Sequence, residues 1–286
     1  MKRLRLAIDQ MAPVLGDLDA NFKRHQDAIA WAKTQKADLL VFPELSLSGY
    51  LVRGMVHHVG ITRDDPRLLA LAGAAGGMSI VLGMVEKSDD GQFFNVGCYL
   101  RDGRVAAIQR KLILPNYGMF EERRFMASGA HLECFDTPWG KAGILICFDL
   151  LHPATVYLLE QSGAHLLISI SASPARGISA EGHMAGEQVF RVAQEAAARL
   201  CGLMTVYVNR VGVEEGVTFW GGSQVMDPFG VVLCELPMYE AARAVCEIDM
   251  ESVSRARTLF PHLKESRPDL ILQEMWRLRQ GAAPMP

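Results

Sequence analysis

Short apolar runs alternate with segments of helical period along the whole chain, and that alternation restricts it to a layered α/β fold. Leu4 to Ile8 alternate as a strand. Asn21 to Lys36 places Phe22, Ala28, Ile29 and Ala32 on one side of a predicted helix. An apolar strand ends at Phe42. A helix near Pro66 to Ala75 leads into the strand Ser79 to Val85. Asp89-Asp-Gly91 turns into Phe93 to Leu100, and Asp102-Gly103 turns into Val105 to Ile108, which predicts a pair of hairpins. Further strands are predicted at Leu132 to Phe135, Ala142 to Ile146, His165 to Ile170, Met204 to Val208, Ser223 to Met226, Val231 to Glu235 and Ala242 to Ile248. Helices are predicted from near Pro153, a residue suited to a first helical position, and over Gly182 to Cys201. Pro115 to Gly129 has no period and reads as a loop. No linker or repeat divides the sequence, so 1–286 is expected to be one domain with a charged, partly helical tail from Met250. Hairpins mixed with crossovers favour sheets covered by helices over a purely parallel sheet.

Charge and composition narrow the function. A net charge of −3 gives no reason to expect a nucleic-acid or acidic-membrane partner. Asp9 and Gln10 interrupt any apolar core behind Met1-Lys-Arg-Leu-Arg5, so the N-terminus reads as a first strand rather than a signal peptide. No apolar run approaches a membrane span, and a cytoplasmic protein is expected. The six cysteines are scattered without a Cys-x-x-Cys pair, which argues against a disulfide framework and a zinc ribbon.

Three strand ends carry reactive side chains. Leu-Leu-Val-Phe-Pro closes at Glu44. Gly-Ile-Leu-Ile closes at Cys147. Lys111 follows the alternating segment Arg104 to Arg110. Ligands of layered α/β proteins gather at such ends. A base, a cation and a thiol there form a set for nucleophilic acyl transfer. A helix N-terminus a few residues beyond Cys147 is expected to lower its thiol pKa. Partial burial is expected to fit Glu44 as a base. Taken singly, each has a plain structural reading: a buried thiol, a loop acid, a surface lysine. No Gly-x-Gly-x-x-Gly or phosphate loop supports a nucleotide-binding dehydrogenase, and no Gly-x-Ser-x-Gly elbow supports a serine hydrolase.

Together the segments around these residues resemble the nitrilase superfamily of carbon–nitrogen hydrolases. They are Leu-Leu-Val-Phe-Pro-Glu44-Leu-Ser-Leu-Ser-Gly-Tyr50, the run from Arg110-Lys111 to Arg124-Phe125, Gly-Ile-Leu-Ile-Cys147-Phe-Asp149, and Gly221-Gly-Ser223 with Asp227-Pro-Phe-Gly230. The resemblance implies a four-layer α-β-β-α sandwich. It implies a homodimer or higher homo-oligomer, with the tail of about 250–286 used in oligomer contacts. It implies a Glu44-Lys111-Cys147 triad, Glu122 as a second, substrate-positioning glutamate, and no metal or organic cofactor. Glu121 stands where the family usually has Asp. The chemistry implied is hydrolysis of a small-molecule amide. Glu44 takes the thiol proton, Cys147 attacks the carbonyl, and Lys111 with the Phe148 N–H holds the oxyanion.

Phe148-Asp149 after the cysteine, where nitrilases usually carry Trp-Glu, favours amides over nitriles. Leu-Pro-Asn-Tyr-Gly-Met-Phe-Glu-Glu122, Ser171-Ala-Ser-Pro174 and Tyr207-Val-Asn-Arg-Val-Gly212 resemble the glutaminase domain of glutamine-dependent NAD synthetases. The synthetase domain has no counterpart here, and Trp220 replaces an acidic residue. Tyr117, Phe120, Phe148, Ser173, Pro174 and Trp220 are candidates for the acyl pocket, with ordinary packing as the other reading. Arg123 and Arg124 could meet a substrate carboxylate or pair with Glu121. Two rival functions stay open: a stand-alone glutaminase subunit feeding ammonia to a partner, and a catalytically silent scaffold.

Overall fold

The computed structural model describes residues 3–176 and 185–281. In chain order the elements are β1 (Arg3–Gln10), α1 (Leu18–Thr34), β2 (Leu39–Val41), α2 (Val56–Val59), α3 (Pro66–Ala75), β3 (Ser79–Lys87), β4 (Phe93–Arg101), β5 (Arg104–Arg110), α4 (Glu122–Phe125), β6 (Cys134–Thr137), β7 (Gly140–Ile146), α5 (Pro153–Gln161), β8 (Leu166–Ser171), α6 (Ala185–Cys201), β9 (Met204–Asn209), β10 (Val211–Glu214), β11 (Val217–Trp220), β12 (Gln224–Met226), β13 (Val232–Glu235), β14 (Ala242–Asp249), α7 (Glu251–Leu259), α8 (His262–Glu265) and α9 (Pro268–Gln280).

Two six-stranded sheets form, ordered β14-β1-β2-β3-β4-β5 and β13-β12-β9-β8-β7-β6. Side-chain alternation sorts β1: Leu4, Leu6 and Ile8 face the second sheet, while Ala7 joins the core under α1 and α3. On the other side Val156 and Leu159 of α5 and Phe190 and Ala197 of α6 close the fourth layer. Gly97 on β4 lets the sheets approach, since a Cβ there would stand 2.7 Å from Ile144 Cγ2 of β7.

Strand direction gathers the site. β1, β2 and β3 are mutually parallel, as are β7, β8 and β9. β5 is antiparallel to β4, which is antiparallel to β3, so β5 runs with β3. The carboxyl ends of β2 and β5 therefore share one end of the first sheet, the arrangement that collects ligands in layered α/β folds.

Several elements depart from the sequence reading. The strand expected at Leu132 to Phe135 begins at Cys134, because the Gln109 side chain donates to His131 O and accepts from Glu133 N, which occupies the backbone before it. The segment read as a loop from Pro115 to Gly129 contains the single turn α4. The hairpin β10–β11 was not anticipated. Its two-residue turn, Glu215-Gly216, has positive φ at both positions (46° and 80°), the geometry that suits the twist of a tight hairpin. Of the helix expected over Gly182 to Cys201, residues 182–184 lie outside the described residues, and α6 covers the rest. Among the described residues no helix is long and apolar enough to cross a membrane.

Candidate active site

Glu44 stands three residues past β2, in a backbone that must pass over β3. Gly83 makes the passage possible: a Cβ there would lie 2.3 Å from Leu45 N and 2.7 Å from Pro43 O. The loop is also held by the buried His25, which bridges Asn21 O at 2.7 Å and Ser46 Oγ at 3.0 Å. Burial lowers the His25 pKa to about 4, so this clamp is neutral.

The Glu44 carboxylate is fully buried, beyond the partial burial expected of it. Its Oε1 accepts from Asn95 Nδ2 and from Lys111 Nζ, both at 2.7 Å, and its Oε2 accepts from Ala172 N at 2.6 Å. Lys111 is likewise fully buried and donates a second bond, 2.7 Å, to Glu122 Oε1. Burial disfavours the ammonium, but the carboxylates of Glu122 and Glu44 outweigh it and hold Lys111 protonated above its usual range. Tyr50 Oη donates to the same Glu122 oxygen at 2.5 Å. Burial raises the Glu122 pKa, with Lys111 opposing. Its neighbour Glu121 is exposed and pairs with Arg124 at 3.5 Å, so geometry separates two glutamates that sequence left adjacent.

Cys147 follows β7 directly with φ at +49°, a backbone that favours glycine, and opens a five-residue 3-10 turn. Its thiol is not lowered as expected. Burial pushes it up, Glu44 adds to that, and Lys111 opposes. The physical reason is enclosure: the thiol meets carboxylates and little solvent, and one short turn does not offset that. Asp149 fastens this turn to the segment that follows β5 and begins at Lys111. It accepts from Ile113 N at 2.8 Å, and from Leu112 N and Ile146 N at 3.2 Å each. Burial raises its pKa to about 6 against the pull of Lys111 and these donors.

Cys147 opens into a cavity of about 420 Å³. Tyr117, Phe120, Phe148, Ser173 and Pro174 line it, as the sequence reading has them. Trp220 does not. It is buried behind the wall, stacked on Tyr207, and its Nε1 donates to Ser173 Oγ at 3.0 Å. Its size and position in the motif suggested a wall residue, but the indole is turned into the core. Arg123 and Arg124 are also absent from the lining. His152 packs edge-on against Phe148 and is not among the lining residues.

Sequence reasoning overlooked Tyr50, Asn95, Glu214 and Arg176. Tyr50 lay within the quoted Glu44 motif. Glu214 accepts from Tyr50 N and Leu51 N, both at 3.0 Å, and is paired with the buried Arg210. Its place became visible only with the hairpin β10–β11.

Known proteins of similar sequence and shape can be set beside this geometry. A glutamine-dependent NAD(+) synthetase of Thermotoga maritima is 30% identical over 91% of this chain. The chain spans only 45% of that relative's length. An (R)-stereoselective amidase of a Pseudomonas species is 32% identical, with 92% of each chain covered. The crystal structure of a carbon-nitrogen hydrolase from Helicobacter pylori shares the fold, at a TM-score of 0.87 and 24% identity over 96% of this chain and 99% of that one. Together with a match to the family pattern over residues 5–258, these place the chain in the carbon–nitrogen hydrolase family.

Proposed function

We propose that the protein hydrolyses the amide bond of a small molecule through a thioester on Cys147. The observation that carries this reading is the buried ion pair of Glu44 and Lys111, whose charges both act on a thiol that opens into a cavity. An ionised carboxylate offers about four acceptor sites. Three on Glu44 are filled by Asn95, Lys111 and Ala172, leaving one for the thiol proton. Passing that proton from Cys147 to Glu44 leaves the net charge of the enclosed cluster unchanged. A thiol raised at rest is then deprotonated as it attacks, and the bond to the amide carbon uses up the thiolate charge. Lys111 and the Phe148 N–H stabilise the oxyanion. Glu44 returns the proton to the departing amine or ammonia, then takes one from water, whose oxygen attacks the thioester; the Cys147 thiolate leaves and takes that proton back from Glu44, which restores the resting site.

A second reading is a glutaminase unit whose ammonia goes to a partner, supported by the similarity to part of a glutamine-dependent synthetase. A homodimer is also expected, and the exposed Leu158, Val189, Val192 and Leu200 of α5 and α6 offer an apolar surface for it, which sedimentation would test.

The decisive experiment is intact-protein mass after brief exposure to glutamine, N-carbamoyl amino acids and short aliphatic amides, with ammonia read in parallel. An acyl adduct on the wild type that is absent from Cys147→Ala supports the thioester route. Turnover retained by Cys147→Ala overturns it. Ammonia from glutamine alone favours the glutaminase reading.

A further inference from the structure

Among the described residues, Arg176 is the only charged side chain lining the cavity in front of Cys147. Much of the remaining wall is apolar or aromatic, with Pro115, Phe120, Leu151 and Phe190 among its members. The guanidinium carbon lies 5.3 Å from the Phe120 ring centre and 5.9 Å from that of Tyr117, within the range of cation–π attraction. Gly118 leaves it room, since a Cβ there would stand 2.9 Å from an Arg176 nitrogen. Two aromatic rings and a glycine thus set a cation at the cavity wall. No ion pair with a described residue engages Arg176, whereas Arg124 outside the cavity is held by Glu121. An arginine presents a planar fork of donors that fits a carboxylate with two parallel bonds. Arg176 is exposed and so is Tyr117, so such a pair gains from its geometry rather than from enclosure and stays open to screening by salt.

We propose that Arg176 receives a carboxylate on the substrate, so that the preferred substrates are amides bearing a carboxylate at the end remote from the scissile carbonyl. This rests on the amide-hydrolase reading above and narrows its substrate class.

The test compares the monoamide of succinic acid with its methyl ester and with butyramide, on wild type, Arg176→Gln and Arg176→Lys. The wild type is expected to favour the free acid in kcat/KM by about two- to fivefold, the effect of one exposed ion pair. The preference is expected to shrink with added salt. Arg176→Gln is expected to lose it through KM rather than kcat, and Arg176→Lys to recover part of it. An equal preference in Arg176→Gln, or none in the wild type, overturns the proposal. Acylation of Cys147, read by mass, separates the two levels. Adducts from the neutral amides without advantage for the acid would sink the carboxylate contact and leave the amidase reading standing. No adduct and no turnover from any amide, with glutamine and carbamoyl compounds included, would sink both.

Discussion

Glu44 and Lys111 meet at 2.7 Å with neither side chain exposed to solvent. A pair enclosed in this way costs desolvation to form, and removing one member strands the other. Lys111→Met would leave the carboxylates of Glu44 and Glu122 facing each other without a cation. The expected loss is about 3–5 kcal/mol of stability, measured by urea unfolding, together with loss of activity. Stability equal to wild type would mean that the ion pair is unimportant to the fold.

Glu44→Gln keeps the shape and removes the base. Its expected effect is a fall in kcat of about 100- to 10,000-fold, with the circular dichroism spectrum retained. Both half-reactions need the carboxylate, so stopped-flow acylation and deacylation should slow together. A variant that acylates at the wild-type rate and stalls only afterward would assign the first proton transfer to another group.

Much of this site was legible because the strands carrying Glu44 and Cys147 announce themselves as apolar runs with a polar stop. What stayed hidden has identifiable causes. The hairpin that bears Glu214 is two four-residue strands, too short for alternation to stand out, and its Glu215-Gly216 turn is a weak signal. Trp220 reads as pocket or core equally well, since only the direction of the indole decides. The thiol of Cys147 was misjudged because a local argument from a following helix omits the burial supplied by strands distant in sequence. Arg176 has no local pattern at all; its position depends on Tyr117, Gly118 and Phe120, more than fifty residues earlier.

Tyr50→Phe deletes one hydroxyl from the Glu122 oxygen that Lys111 also holds. A hydrogen bond to a charged group contributes about 1.5–3 kcal/mol. If it positions Glu122 for the reaction, kcat/KM should fall about tenfold to a hundredfold, read by initial rates of ammonia release. A fall in melting temperature with unchanged rates would instead assign Tyr50 to stability alone.

Asp149→Asn tests the fastening of Cys147. The carboxylate accepts three backbone N–H groups, and an amide nitrogen in its place would face donors with a donor. A loss of about 1–3 kcal/mol is expected from the stranded N–H groups, with slower acylation as the Cys147 turn loosens from the segment after Lys111. Unchanged stability and rate would show that the turn holds its shape without this anchor.

His25 gives the protein a defined acid sensitivity. Its pKa is lowered from 6.5 to about 4 by burial, so the unfolded chain takes up a proton that the folded chain resists. Stability from this group is complete above about pH 6.5 and is lost progressively as pH falls toward 4, by about 3 kcal/mol in all. Asp9 and Asp149 act in the opposite sense. Burial raises each from 3.8 to about 6, so the folded state takes up their protons first and gains stability as pH falls through that window. Comparing wild type with His25→Gln cancels the two aspartates and isolates the histidine. The wild-type stability should drop more steeply than that of the variant between pH 6.5 and 4 in urea unfolding. Parallel curves would show that His25 is not the group that resists the proton.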